Sequence, residues 1–140
     1  MPYRKAAIRG YRAEDEPLLY GLARMTFGER SGWDDEQTIA VLEHEEVFVA
    51  EVEGSVAGYV ALRPARETVR IDRLLVGPAH EAEGVGNQLV EWAEGYAISR
   101  GAGRLQVAVE GDNRRARDFY RRRGFVPVAD ELLELVLPQG

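Results

Sequence analysis

The chain has 140 residues, 45% of them hydrophobic, with a formal net charge of −6. One domain with a real core is the expectation at this size, and an acidic balance argues against general nucleic-acid binding. With no cysteine and two distant histidines, His44 and His80, disulfides, thiolate metal sites and a cysteine nucleophile are excluded and no metal site is expected.

In chain order, residues 6–11 read as a short strand. Acids at Glu14, Asp15 and Glu16 then open a helix, and Leu18, Leu19, Leu22 and Met25 carry its spacing to about Phe27. Residues 28–32 break that pattern. A second helix starts from Asp34 or Asp35, with Ile39, Val41 and Leu42 as its apolar face. Residues 47–52 alternate as a strand, Glu53-Gly54 turns the chain, and residues 56–62 return. Residues 69–76 form a strand that runs into a glycine loop. Val85, Leu89, Trp92, Ala93, Tyr96 and Ala97 then recur at helical spacing, and Gly101 follows the cap. Another strand follows at 105–109, and Asn113 opens a short helix that Gly124 stops. Residues 125–128 and 132–137 read as a closing hairpin. The result is an α+β domain with a mixed, mostly antiparallel sheet, spanning residues 1–140 without repeats or a linker. No signal peptide or transmembrane run is read from the chain, so a cytoplasmic location without membrane attachment is the default.

Two stretches carry the functional signal. In Val76-Gly77-Pro78-Ala79-His80-Glu81-Ala82-Glu83-Gly84-Val85-Gly86, a strand ends in a glycine pair that opens a helix. Its unpaired N–H groups make an anion site, and glycine admits close approach of a ligand. The second stretch runs from Asn113 through Ala116, Phe119 and Tyr120 to Gly124-Phe125. Together they resemble the GNAT N-acetyltransferase superfamily, whose patterns are V-x-P-x-x-[RQ]-x-x-G-x-[GA] and N-x-x-A-x-x-[FL]-Y-x-x-x-G-F. The second pattern matches at every marked position; the first departs from it at Glu81.

The resemblance implies a GNAT-like three-layer α+β fold with helices on both faces of the sheet. It also implies acetyl-CoA as cosubstrate and direct transfer of acetyl to a primary amine in a ternary complex. It places the coenzyme against the backbone of Leu74, Leu75 and Val76, the loop residues Glu81, Glu83, Gly84, Val85, Gly86 and Asn87, and the second motif's Asn113, Ala116 and Tyr120. Tyr120 is the implied donor to the leaving thiolate; a merely packed aromatic at i+4 from Ala116 is the alternative. Asn113 meets the pantetheine arm, caps a helix, or does both.

Asp72 is the leading candidate for the general base, on strand alternation that would put it on one face with Leu74 and Val76. Pairing with Arg70 or Arg73 is the alternative, and Glu110 is a second acid near the cleft. Arg114, Arg115 or Arg117 would approach the coenzyme's 3′-phosphate. Phe27, Arg30 and Trp33 lie in the loop that lines the acceptor side in the family. Glu81 and Glu83 stand where anions are unwelcome, each costing roughly 0.6 kcal/mol at about 7 Å from a phosphate charge. They keep open a non-catalytic acyl-CoA-binding domain, and an amine- or peptide-binding module remains as a third reading. The acceptor is an amine on a small molecule or peptide, no nucleic-acid partner is expected, and the chain is a monomer or a homodimer pairing through the hairpin at 132–137.

Overall fold

The computed structural model describes residues 3–27 and 35–139. Its elements are β1 Ala7–Gly10, α1 Glu16–Phe27, α2 Asp35–His44, β2 Glu46–Val52, β3 Ser55–Pro64, β4 Thr68–Val76, α3 Val85–Ser99, β5 Arg104–Ala108, α4 Arg114–Arg122, β6 Val126–Ala129 and β7 Leu132–Val136. The order read from the sequence is the order found. The strands form a seven-stranded sheet, β1-β2-β3-β4-β5-β7-β6, in which β4 and β5 run parallel and the other neighbours antiparallel.

Two apolar clusters, one on each face, make this a three-layer molecule. On one face α3 and α4 cover Val60, Leu62, Val69, Ile71, Leu105, Val107 and Leu133 with Leu89, Ala93, Tyr120 and Phe125. On the other, α1 and α2 cover Val47, Val49, Tyr59, Ala61 and Leu75 with Leu19, Ala23 and Val41. The start of α1 is fixed to β1 by Asp15, which takes both guanidinium arms of Arg9 at 2.8 Å and the Arg12 N–H at 2.8 Å. The Arg9 bonds hold the Asp15 carboxyl below the ordinary aspartate range, although its burial pushes the other way.

The tight turn after β2 puts Glu53 at φ 52° and Gly54 at φ 81°, the left-handed pair that suits a two-residue hairpin. Three details of the helix faces differ from the sequence reading. Leu18 and Met25 are exposed, so α1 packs through Leu19, Leu22 and Ala23. On α2 Ile39 is exposed, and Thr38, fully buried, stands with Val41 on the inner face. Trp92 of α3 is 39% exposed, its ring tilted against Phe48 with centroids 5.3 Å apart, while Val90 fills the core.

The closing hairpin read from the sequence is present as the antiparallel pair β6 and β7, but its place in the sheet differs. β7 lies between β5 and β6, so the segment expected to be free for pairing is internal, and β6 is the sheet's edge. Among the described residues, no helix is long and apolar enough to cross a membrane.

Candidate functional site

The site begins where β4 and β5 part. They pair from Thr68–Arg104 to Ile71–Val107 and no further. Beyond that point β4 keeps only β3 as a neighbour, through Val76 opposite Gly58. The β5 end turns instead to β7, pairing Ala108 with Leu132, and the Val109 N–H reaches the Glu131 carbonyl at 2.9 Å. One edge of residues 72–76 therefore faces a gap in the sheet, with backbone polar groups that no strand takes up.

A β-bulge sits at the mouth of this gap. Leu62 pairs with Ile71, and the next residue of β3, Ala61, pairs with Arg73, so Asp72 is the extra residue. A bulge breaks strict alternation, which corrects the sequence reading of Asp72. Val69 and Ile71 face α3 and α4, and after the bulge Leu74 and Val76 face that side again. Asp72 does not share their face. Its carboxylate lies 2.7 Å from Arg63, a residue in alternation with Ala61 and Tyr59 on the α1–α2 side. Arg63 takes the place of Arg70 or Arg73 as its ion-pair partner.

Arg73 is 3% exposed and gives Nη1 to Thr38 Oγ1 at 2.9 Å and to the Tyr59 hydroxyl at 3.0 Å, locking α2 to the sheet. Leu75 is buried in that same cluster. Leu74, Leu75 and Val76 thus spend their side chains on packing, and only their backbone is offered to the gap. Glu110 lies exposed in the turn before α4, its carbonyl accepting from the Asn113 N–H at 3.0 Å.

Beyond the gap, the loop enters α3 through Gly84, whose φ of 83° is left-handed and suits glycine. A Cβ there would also lie 2.9 Å from the Tyr3 ring. At Gly86 a Cβ would meet the Phe119 ring at 3.4 Å and Val76 at 3.7 Å. Gly84 is therefore required by its backbone conformation, whereas an added carbon at Gly86 would make only ordinary van der Waals contacts. Gly84 has no side chain to cap α3, so the first-turn N–H groups of Val85, Gly86 and Asn87 are left without a side-chain cap at the positive end of the helix dipole. The Val85 side chain itself is in the core.

The acids of this loop are paired within the protein. Glu81 lies 3.7 Å from Arg115 on α4. Glu83 lies 2.9 Å from His80 Nδ1 and 3.8 Å from Arg4. The expected repulsion of phosphate is accordingly offset by cations brought in from the N-terminal segment and α4, neither adjacent in sequence. Asn87 accepts from Arg123 at 3.1 Å, which ties α3 to α4. Arg117 points its guanidinium at the Val109 and Asp130 carbonyls, 3.4 Å away in each case.

On α4, Asn113 Oδ1 accepts the Ala116 N–H at 3.2 Å, so the cap reading holds and Ala116 contributes through its backbone. Tyr120 is 6% exposed, packed edge-on to Phe119 and Phe125 at centroid distances of 5.0 and 5.3 Å. Burial raises the Tyr120 phenol above the ordinary tyrosine range, so it remains protonated at neutral pH. Tyr120 and Asp72 stand on opposite faces of the sheet, on either side of the β4–β5 gap. Residues 28–34 and the Phe27 side chain, where the acceptor-side expectation for Phe27, Arg30 and Trp33 falls, lie outside the described residues.

Sequence reasoning missed Glu45, which has no motif around it. It lies between α2 and β2, its side chain 5% exposed, with Oε2 3.3 Å from Arg63. Alternation with Val47 and Val49 aims it at the α1–α2 face. Burial first, then the neighbouring Asp72, pushes its carboxyl up to about 7, with Arg63 pulling in the opposite direction. The folded chain thus holds this proton to higher pH than the unfolded chain does. The resulting stabilisation is complete below the ordinary glutamate range and is lost as pH rises through about 7. A thermal melt series from pH 4 to pH 8 is expected to show wild type losing on the order of 2 kcal/mol more than Glu45→Gln. Parallel melting curves for the two proteins would refute this.

The profile of the acetyltransferase (GNAT) family matches residues 11–125. The chain is 34% identical over 85 residues to an uncharacterized N-acetyltransferase of Methanocaldococcus jannaschii, covering 56% of this chain and 38% of that protein. It is 35% identical over 75 residues to streptothricin acetyltransferase of Streptomyces lavendulae, covering 52% and 40% respectively. The chain thus spans about two fifths of the length of these curated relatives. A solved N-acetyltransferase of Thermoplasma acidophilum in complex with coenzyme A shares the fold at a TM-score of 0.80 and 18% identity, over 94% of this chain and 99% of that one.

Proposed function

Since the chain belongs to the GNAT acetyltransferase family, we propose that it transfers acetyl from acetyl-CoA to a primary amine by direct attack within a ternary complex. The observation that carries the reading is the parting of β4 and β5 after Ile71–Val107, beside the first turn of α3. The gap offers backbone hydrogen-bonding groups to a pantetheine arm and to the thioester carbonyl. The uncapped N–H groups of Val85, Gly86 and Asn87 receive the pyrophosphate.

The amine nitrogen enters from the α1–α2 face and attacks the carbonyl carbon. The N–C bond forms, and β4 backbone N–H groups stabilise the oxyanion. The C–S bond then breaks, and the electron pair departs on the sulfur toward the α3–α4 face. In this reading Tyr120 meets it. Because burial strengthens the phenol's hold on its proton, its contribution is a hydrogen bond to the developing thiolate, with the final proton arriving from solvent. Asp72 takes a proton from the acceptor ammonium on the other side before the attack, and the second proton that the nitrogen sheds on becoming an amide passes to water. A carboxylate on that face also favours a cationic amine over a neutral acceptor.

The alternative of a non-catalytic acyl-CoA-binding domain drew its support from Glu81 and Glu83. Their pairing with Arg115, His80 and Arg4 weakens it. Calorimetry of acetyl-CoA binding, followed by thiol release with a panel of amines, tests the proposal. Binding in the micromolar range and amine-dependent release are expected. Binding without release would favour the non-catalytic reading, and no binding at millimolar acetyl-CoA would defeat both.

A further inference from the structure

Glu45, just before β2, Arg63, at the end of β3, and Asp72, in the middle of β4, form a row across the sheet, on the face that α1 and α2 cover elsewhere. Arg63 Nη2 is shared between the two acids, 3.3 Å from Glu45 Oε2 and 2.7 Å from Asp72 Oδ2. Arg63 itself is 64% exposed, Asp72 19% and Glu45 5%, so the cation forms the rim and Glu45 the floor. One cation cannot neutralise two carboxylates. Moreover, Glu45 Oε1 is buried with no hydrogen-bond donor among the described residues, an arrangement that is costly for an ionised oxygen. A proton held between the two acids supplies what is missing, because a protonated carboxyl donates where a carboxylate cannot.

We propose that Glu45 and Asp72 act as one proton-accepting pair for the acceptor amine, with Asp72 meeting the ammonium and Glu45 holding a second proton site behind it. The inference rests on the acetyl-transfer reading and names a residue that reading does not require. Glu45, being buried, is a positioning residue that acts through Asp72. In the accepting state both carboxyls are ionised, with Arg63 offsetting one charge. An ammonium N–H bond breaks and an O–H bond forms on the pair, and the freed lone pair attacks the thioester. The proton is then shared between the two acids until it leaves past the Arg63 rim to water.

The surroundings leave the pair in control of its own titration. Among the described residues, Arg63 from β3 and Asp72 from β4 are the charged groups that act on Glu45. At the adjoining end of α2, Glu43 and His44 are exposed and lie 3.9 Å from each other. Arg73, also from β4, is directed to Thr38 and Tyr59.

Two measurements on the full chain decide the proposal. The first is a carbon-13 titration of the side-chain carboxyls, which needs no substrate. Wild type is expected to show Glu45 and Asp72 titrating as a coupled pair, and Asp72→Asn is expected to move the Glu45 step down by about one pH unit or more. Independent titrations would overturn the pairing.

The second is the pH profile of kcat/KM with whichever amine of the panel turns over fastest. Its acid limb is expected to move down by about one pH unit or more in Glu45→Gln and to be retained in Glu45→Asp. A limb unmoved in folded Glu45→Gln, but altered in Asp72→Asn, would overturn this inference and leave Asp72 as a lone base. A limb unmoved in both variants would remove the base assignment as well. If no amine turns over, the carboxyl titration alone settles whether the pair exists.

Discussion

Tyr120→Phe is expected to lower kcat about a hundredfold while leaving the melting temperature and acetyl-CoA affinity close to those of wild type. The separation of effects follows from how the ring is held. Its edge-on contacts with Phe119 and Phe125 involve the ring alone and survive the substitution. No hydrogen bond to the hydroxyl is found among the described residues, so its removal orphans no partner. What disappears is the donor that the proposed mechanism assigns to the departing sulfur, needed only once charge develops there. Thiol release under saturating acetyl-CoA and amine measures the loss, and a thermal melt reports the fold. Unchanged kcat would return Tyr120 to the role of a packed aromatic. A collapsed melting temperature would mean that the hydroxyl is structural.

Gly58→Ala is expected to destabilise the protein by about 3 kcal/mol or more, an unusually large effect for one methyl group. Gly58 stands opposite Val76 in the β3–β4 ladder. A Cβ there would overlap the Leu75 carbonyl oxygen and lie 3.1 Å from the Val76 Cα. Those obstacles are backbone, which cannot rotate aside as a side chain does. The strand must shift, and the segment that shifts is the end of β4 that borders the gap. Acetyl-CoA affinity should therefore fall together with stability.

Gly95→Ala is the control. It lies in α3 with nothing within 4 Å of the added carbon, and it should gain roughly 0.5–1 kcal/mol from reduced chain entropy and better helix propensity. Denaturant melts of the three proteins measure both changes. Equal stabilities for Gly58→Ala and wild type would show that β3 and β4 can separate without cost.

Much of the fold was legible in the chain because local chemistry imposed it. Alternating valines wrote β2, the Glu53-Gly54 turn closed its hairpin, and Asn113 and Gly124 bounded α4 with a cap and a stop. The two motifs likewise located the loop into α3 and the helix that carries Tyr120, since Gly84 and Asn113 are the residues that begin those helices. Three things lay beyond the sequence because they depend on registers between distant segments. The bulge at Asp72 is visible only when β3 is laid beside β4, and it sets the face on which that carboxylate works. Glu81 and Glu83 read as unpaired acids until Arg115 and Arg4 are brought to them by folding. Glu45 resembles any surface glutamate at a helix end until the ladder buries it beside Asp72. Local pattern determined the elements and the glycine loop that opens α3; long-range packing decided which charges meet, and so how the acids of the loop and of β4 are paired.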